Sequence, residues 1–359
     1  MDDAKPLTIG ILGLDRRGQF LLTPMAEMPG FRIVAVADRD TQAVEKKAAQ
    51  LGCRAFDDYR QFVLQGGFDY LLVAANLHNC LEHVRLAVKS GCHVLKLAPM
   101  ARSFEEAAEL YELARQEGRR FDVVNTGRYT GSFQAFQARL ADGRIERPCL
   151  VRAFCEVGLL AGMNPELYQI YPDSQTSWIT DQDLAGGGVL LQNCYTLIDQ
   201  LVLAFGLPRR VYCLCNSHTS DKQQLHHLTE DTALVSMRFG ENLIVDLVAM
   251  RHWDDRPAQE TLTLYGRDRQ GGVSGESLVV RDPNGASIEQ ARFDCDETAI
   301  SRALLADYQQ SFLDPEPHRY TSDAASNLRV MAVMQAAYLS SRTGSPEDPQ
   351  RILSLVGQP

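Results

Sequence analysis

This chain has no run of about 18 apolar residues and no basic-then-apolar leader, which argues against a membrane span or a secreted product. It has no basic surplus either. Its 46 acidic residues outnumber 36 lysines and arginines, and a net charge of −10 leaves no cationic stripe to neutralise a phosphate backbone, so a nucleic-acid partner is not expected. There is no Cys-x-x-Cys pair. Nine cysteines are scattered from Cys53 to Cys295, an odd, dispersed set that reads as the reduced, mostly buried thiols of a cytoplasmic protein. Internal repeats and low-complexity segments are missing, and no metal site is expected. His78, Glu82 and His83 miss the His-x-x-Glu-His zinc spacing by one residue and read as a solvated helix face. His226-His227 reads as a loop pair. What remains is an ordinary globular composition, 45% apolar and 23% charged, in 359 residues, long enough for two domains with cores of their own.

The stretch from Leu7 to Asp38 organises the rest. Leu7–Leu12 is a short apolar run, the pattern of a strand buried on both faces of a parallel sheet. Gly13-Leu-Asp-Arg-Arg-Gly18 follows, where a dinucleotide fingerprint has Gly-x-Gly-x-x-Gly. Arg32–Ala37 is a second strand and ends in Asp38, about 20 residues past Gly18, where that fingerprint places its ribose-binding acid. Asp15 occupies the second-glycine position, which is small so that the backbone can approach a pyrophosphate. The aspartate adds bulk and negative charge there. Arg16 and Arg17 offset the charge but cannot restore the space. The expected cofactor is NAD, because Asp38 suits a ribose 2′-hydroxyl and repels a 2′-phosphate. Adjacent Arg39 leaves NADP open, and Asp15 makes weak or lost binding an expectation.

Strand–helix alternation continues beyond Asp38. Thr41–Gln50 and Asp58–Leu64 read as helices, Cys53–Phe56 and Tyr70–Ala75 as strands, and a helix runs from about His78 to Ser90. His93–Leu97, the helix Phe104–Glu117 with its early acids, and the strand Arg120–Asn125 complete the series. This pattern predicts an N-terminal Rossmann domain, residues 1–128, with a doubly wound parallel sheet and right-handed crossovers. Ligands of such sheets bind at the carboxyl ends of the strands, which adds Ala75, Asn76, Leu97 and Pro99 to the expected cofactor site. After Tyr129 the character changes. A helix at Phe133–Ala141 leads to strands at Leu150–Val157, Arg210–Cys215, Thr232–Phe239, Leu243–Met250, Thr261–Tyr265 and Ser277–Val280, with helices near Ile300–Leu313 and Asp323–Ser341. The second domain, 129–359, is thus expected to be α+β with an open, mainly antiparallel sheet. Such a face needs covering, so a homodimer or homotetramer through that sheet is expected.

Nearly the whole chain resembles the glucose–fructose oxidoreductase, inositol dehydrogenase and rhizopine-catabolism family (Gfo/Idh/MocA). Gly91-Cys-His-Val-Leu-Lys-Leu-Ala-Pro-Met-Ala101 is similar to that family's Gly-x-His-Val-x-x-Glu-Lys-Pro-Leu-Ala segment. Asn125-Thr-Gly-Arg128-Tyr129 resembles the strand end carrying its Arg-Phe pair. Gly186-Gly-Gly-Val-Leu-Leu-Gln-Asn-Cys-Tyr-Thr-Leu-Ile-Asp199 resembles Gly-Gly-Gly-x-Leu-x-Asp-x-Gly-x-His-x-x-Asp, and Leu328–Gly344 the closing helix. The resemblance implies NAD or NADP as cofactor, and a sugar, polyol or related small molecule held on the second domain's sheet. Arg128, Gln192 and Thr196 are then the candidates for the substrate pocket.

The family's chemistry does not carry over residue by residue. Its Glu-Lys-Pro is Leu97-Ala98-Pro99, its Asp and His on the triple-glycine helix are Gln192 and Thr196, its Thr-Pro after the fourth strand is Ala75-Asn76, and the following His is Cys80. Neither Ala98 nor Thr196 can take a hydroxyl proton at neutral pH. Strand parity puts Lys96 on the side of Ala98, roughly 6–7 Å back, within reach of a lysine stem. Tyr195 adjoins Thr196 on the helix. Lys96 and Tyr195 are therefore the substitute catalytic candidates, against packing roles for both, with Asp122 as an ion-pair partner for Lys96. Two functions stay open: an oxidoreductase with a relocated proton donor, and a non-catalytic ligand sensor or interaction protein on the same fold, which the coincident changes at Asp15, Ala98, Gln192 and Thr196 favour. Redox-assisted elimination or glycoside cleavage is a third.

Overall fold

The computed structural model describes residues 6–14, 18–75, 77–145, 148–158, 177–179, 181–217, 229–252, 257–294, 296–313 and 320–357. The chain divides into two compact units. Unit 1 comprises Met1–Ala101, Glu105–Thr126 and Asp296–Leu328; unit 2 comprises Arg102–Phe104, Gly127–Cys295 and Arg329–Pro359. The sequence suggested a single cut at 128/129, whereas unit 1 takes back a segment from near the end of the chain.

Unit 1 is a parallel six-stranded sheet with helices at its crossovers. Its strands are β1 (Leu7–Leu12), β2 (Phe31–Ala37), β3 (Arg54–Phe56), β4 (Tyr70–Val73), β5 (His93–Leu97) and β6 (Phe121–Val124), in the order β3-β2-β1-β4-β5-β6. The order reverses between β1 and β4, which is where such sheets open a ligand crevice. Helices α1 (Gln19–Glu27), α2 (Thr41–Leu51), α3 (Tyr59–Gln65), α4 (Cys80–Lys89) and α5 (Phe104–Gln116) link them. Local chemistry sets several boundaries. Asp40 and Asp58 cap α2 and α3 by accepting the Ala43 and Gln61 amides at 3.0 and 2.8 Å. Gly52 ends α2 at φ 64°, a left-handed turn that suits glycine. The late segment adds α10 (Glu297–Leu313). There Tyr308 is fully buried, Arg302 pairs with Glu27 of α1, and Arg120 lies 3.9 Å over the Phe312 ring.

Unit 2 is built on an eight-stranded sheet. Its strands are β7 (Leu150–Gly158), β8 (Arg210–Asn216), β9 (Thr232–Phe239), β10 (Leu243–His252), β11 (Gln259–Tyr265), β12 (Gln270–Ser274), β13 (Ser277–Arg281) and β14 (Ser287–Arg292), ordered β14-β13-β12-β11-β7-β10-β9-β8. Every pairing is antiparallel except β7 with β10, which run parallel through all nine residues of β7. Helices α6 (Gly131–Ala141), α7 (Gln182–Ala185), α8 (Val189–Asn193), α9 (Tyr195–Phe205) and α12 (Pro349–Ser354) belong to this unit, as does most of α11 (Ala324–Thr343). Period-two alternation buries Val211, Cys213, Val235, Met237, Val245 and Leu247 on one face. Tyr212, Leu214, Leu234 and Ile244 stay exposed on the other, with Leu214 directly opposite Leu234. Among the described residues no single helix is long and apolar enough to cross a membrane; the bent pair Gln182–Asn193 and Tyr195–Phe205 has the length and composition only when taken together.

Candidate functional site

The turn after β1 is shaped by its glycines. Gly13 has φ 95°, and a Cβ there would overlap the Ala74–Ala75 backbone at the exit of β4. A Cβ on Gly18 would overlap the Ala74 side chain, so this glycine seats the start of α1 against the sheet. Asp38 fixes the other side of the turn: one carboxylate oxygen accepts the Leu14 amide at 2.7 Å and the other the Asp40 amide at 3.1 Å. Gln19 adds a bond from its Nε2 to the Leu14 carbonyl at 2.8 Å. Asp15, Arg16, Arg17 and Asn76 lie outside the described residues, as do His226 and His227. Arg39 is exposed beside Asp38.

The helix face expected to be solvated is partly closed. Glu82 is exposed, but His83 is half-buried, edge-on to Tyr59 at 4.5 Å between ring centroids, and burial with help from nearby Arg39 lowers its pKa to about 4. The amphipathic pattern gave no sign of this, because the Tyr59 that covers His83 comes from α3. No group of three or more His, Cys, Asp or Glu side chains among the described residues could hold a metal ion.

At the exits of β5 and β6 the polar groups divide into satisfied and unsatisfied. Lys96 is 3% exposed, and its ammonium reaches forward to donate to the Leu97 carbonyl at 2.8 Å and the Pro99 carbonyl at 2.5 Å. It thus braces the turn through Ala98 and the cis Ala98–Pro99 bond, with Leu97 and Ala98 half-buried and Pro99 buried. Asp122, the carboxylate considered as its partner, pairs instead with Arg120 at 2.8 Å. Asn125, just past β6, is 1% exposed, and neither its Oδ1 nor its Nδ2 has a hydrogen-bond partner among the described residues. Its place in the Asn-Thr-Gly-Arg-Tyr motif was the one signal available in the sequence.

In unit 2 the triple glycine is explained by three separate close approaches. A Cβ on Gly186 would overlap the Arg102 backbone, one on Gly187 the Tyr338 hydroxyl, and one on Gly188 the Glu230 carbonyl. Glu230 is buried and receives the Gly188 amide at 2.7 Å, the Leu190 amide at 2.9 Å and the Tyr338 hydroxyl at 2.9 Å, closing the N-terminus of α8. Burial pushes its carboxyl pKa up, against the pull of those donors. Next to it, buried Arg251 donates to Asn193 Oδ1 at 2.9 Å. This scaffold fixes the helices that carry Gln192, Tyr195 and Thr196. Gln192 donates to the Ala185 carbonyl at 3.0 Å, and its buried Oε1 has no partner among the described residues. Thr196 is half-exposed, whereas Tyr195 is 2% exposed. Arg128 is fully committed: it forms a two-pronged, buried ion pair with Asp199, one arm at 2.7 Å. Sequence reading missed Glu230, Tyr338 and Arg251, because each meets its partner across 40 or more residues of chain and the triple-glycine motif does not mention them.

The chain is similar to known proteins. Residues 7–125 match the sequence model GFO_IDH_MocA, described as an oxidoreductase family with an NAD-binding Rossmann fold, and residues 133–270 match the GFO/IDH/MocA C-terminal domain. The chain is 27% identical over 209 residues to D-xylose 1-dehydrogenase (NADP(+)) 2 of Haloferax volcanii, covering 57% of this chain and 59% of that one. It is 26% identical over 219 residues to 1,5-anhydro-D-fructose reductase of Ensifer adhaerens, covering 60% and 59%. The matched region therefore spans somewhat under two thirds of either relative. In fold it superposes on levoglucosan dehydrogenase in complex with NADH and levoglucosan at a TM-score of 0.83, with 16% identity and coverage of 96% and 99%. With both family models matched, over residues 7–125 and 133–270, the chain belongs to the Gfo/Idh/MocA oxidoreductase family.

Proposed function

We propose that this chain is an NAD(P)-dependent oxidoreductase of a sugar, polyol or related small molecule, with its proton-transfer group displaced from the family's usual positions. The observation that carries the reading is the glycine turn, in which neither Gly13 nor Gly18 has room for a Cβ and Asp38 holds the Leu14 amide. Gly13, Gly18 and the first amides of α1 would hold the pyrophosphate, and Asp38 the adenosine ribose. When bound, the nicotinamide supplies the hydride acceptor or donor. The substrates in the relatives' names, xylose, anhydrofructose and levoglucosan, support the substrate class. The buried Oε1 of Gln192 is an acceptor suited to a substrate hydroxyl.

A group that takes or gives the hydroxyl proton is worth roughly 10² to 10⁴ in rate. Ala98 and Thr196 cannot serve. Both substitutes are buried; Lys96 is favoured because its ammonium lies at the β5 exit, where it reaches the Pro99 carbonyl. One observation favours the alternative, a ligand sensor: two main-chain carbonyls already engage that ammonium. The melting temperature with NAD, with NADP and with neither tests the main reading. A cofactor at 100 times its Kd adds about 2.7 kcal/mol. A larger shift with NAD is expected, and no shift with either would leave the sensor. Lys96→Met then separates the two, since it removes turnover without changing NAD affinity only if Lys96 carries the proton. The exposed sheet face of unit 2 is the proposed contact of a homodimer or homotetramer, and the free cysteines suit a reducing, cytoplasmic setting.

A further inference from the structure

One corner of the unit 2 sheet holds an open surface pocket of about 790 Å³ lined by exposed Arg209, Arg210, Arg238 and Glu241 and half-buried Asp348. The register of β8 on β9 sets Arg210 directly opposite Arg238, and the Arg209 amide is bound to the Arg238 carbonyl at 2.7 Å. Like charges facing each other across a ladder are destabilising. Only Arg210 is neutralised locally, by Asp348 at 2.7 Å, and the other oxygen of Asp348 is spent capping α12 through the Gln350 amide at 3.0 Å. Arg209 and Arg238 have no side-chain hydrogen bond or ion pair among the described residues. Arg85, Arg139, Arg292 and Arg302 each have a carboxylate partner, while Arg209 and Arg238, like Arg32, Arg39 and Arg119, have none among the described residues. The end of α9 at Phe205 would favour one cation nearby, not three.

We propose that this pocket is a binding site for a phosphate dianion, free or as the monoester of a small molecule, held by the forks of Arg209 and Arg238. Two guanidiniums without carboxylate partners outweigh the single Glu241 carboxylate in the same wall, and a guanidinium fork matches a pair of phosphate oxygens. The pocket lies wholly within unit 2, whereas the glycine turn belongs to unit 1. The test is calorimetry of inorganic phosphate against the full chain at constant ionic strength set with chloride, compared with Arg209→Gln/Arg238→Gln. Saturable binding is expected, weakened at least tenfold in the double variant, or about 1.4 kcal/mol. ADP-ribose affinity and the phosphate-free melting temperature should not fall. Binding that is absent in the unaltered chain, or unchanged in the double variant, overturns the site. A double variant that alters sedimentation and leaves phosphate affinity alone also overturns it, and makes the arginines a protein contact.

Discussion

Asp122 sits on β6, 3% exposed, with an Arg120 guanidinium nitrogen 2.8 Å away and Asp323 bridged to it across the sheet edge. Burial, reinforced by Asp323 and opposed by Arg120, pushes its pKa up to about 7. A folded-state pKa above the unfolded value of about 3.9 means that the native state holds the proton more tightly. The stability this gives is complete below about pH 4 and is lost as pH rises through about 7. Asp122→Asn should therefore flatten the fall in urea-measured stability between those limits, where one such group contributes a slope of at most about 1.4 kcal/mol per pH unit. Equal slopes in the two proteins would show that Asp122 is ionised throughout. Arg128 and Asp199 make the opposite case, a buried pair with both charges matched. Asp199→Ala leaves the guanidinium buried alone and should cost about 3–5 kcal/mol, readable as a drop in the denaturation midpoint. Arg128 was legible as a motif residue but not as one already spent: its partner lies 71 positions away, and nothing local distinguishes a substrate-binding arginine from a paired one.

Among the elements, the joint between α7 and α8 depends most on a distant side chain. Glu230→Ala removes the acceptor of two helix-start amides and strands the Tyr338 hydroxyl, a loss of about 3 kcal/mol expected in urea unfolding. A cost below about 0.5 kcal/mol, the range of neutral surface changes, would mean that water replaces the carboxylate. Gly188→Ala should fail by a different route, by driving a methyl group into the Glu230 carbonyl. The elements of unit 1 were readable nearly to the residue: β1 and β5 have the limits their apolar runs suggest, α2 starts at Thr41 as expected, and α3 starts one residue later than expected because Asp58 is its cap. Strands β12 and β14 were not. Gly271 and Gly272 erase the alternation of β12, and β14 is largely exposed, so neither carries a period-two pattern. The parallel pairing of β7 with β10 was invisible as well, since pairing direction is set by which strands meet and not by their composition.

At the scale of the whole molecule, the exposed row on the unit 2 sheet gives a direct test of assembly. Leu214 and Leu234 face each other on adjacent strands and both are open to solvent. If that face meets a second copy, Leu214→Lys/Leu234→Lys should lower the sedimenting mass to that of one chain, whereas a single-chain mass in the unaltered protein would remove the proposal. The substitution at Asp15 also acts at this scale, through cofactor occupancy. Asp15→Gly should tighten dinucleotide binding by relieving bulk and charge at the pyrophosphate turn, and Gly13→Val should abolish it; calorimetry with NAD reads both.

Unit 1 is closed by residues 296–328, after the whole strand array of unit 2 has been made. A ribosome therefore releases the first six strands long before the helix that carries Arg302 and Tyr308 exists. Until then the α1 surface that pairs Glu27 with Arg302 is bare, and the β6 edge lacks the Ser322 carbonyl that receives its Val123 amide at 3.1 Å. Synthesis at about 5–20 residues per second leaves that incomplete sheet waiting for some 10–40 s. A stop codon anywhere before residue 296 therefore yields an unfinished unit 1. A fragment of residues 1–128 made alone should be cut rapidly by protease, and supplying residues 296–328 in trans should slow the cutting.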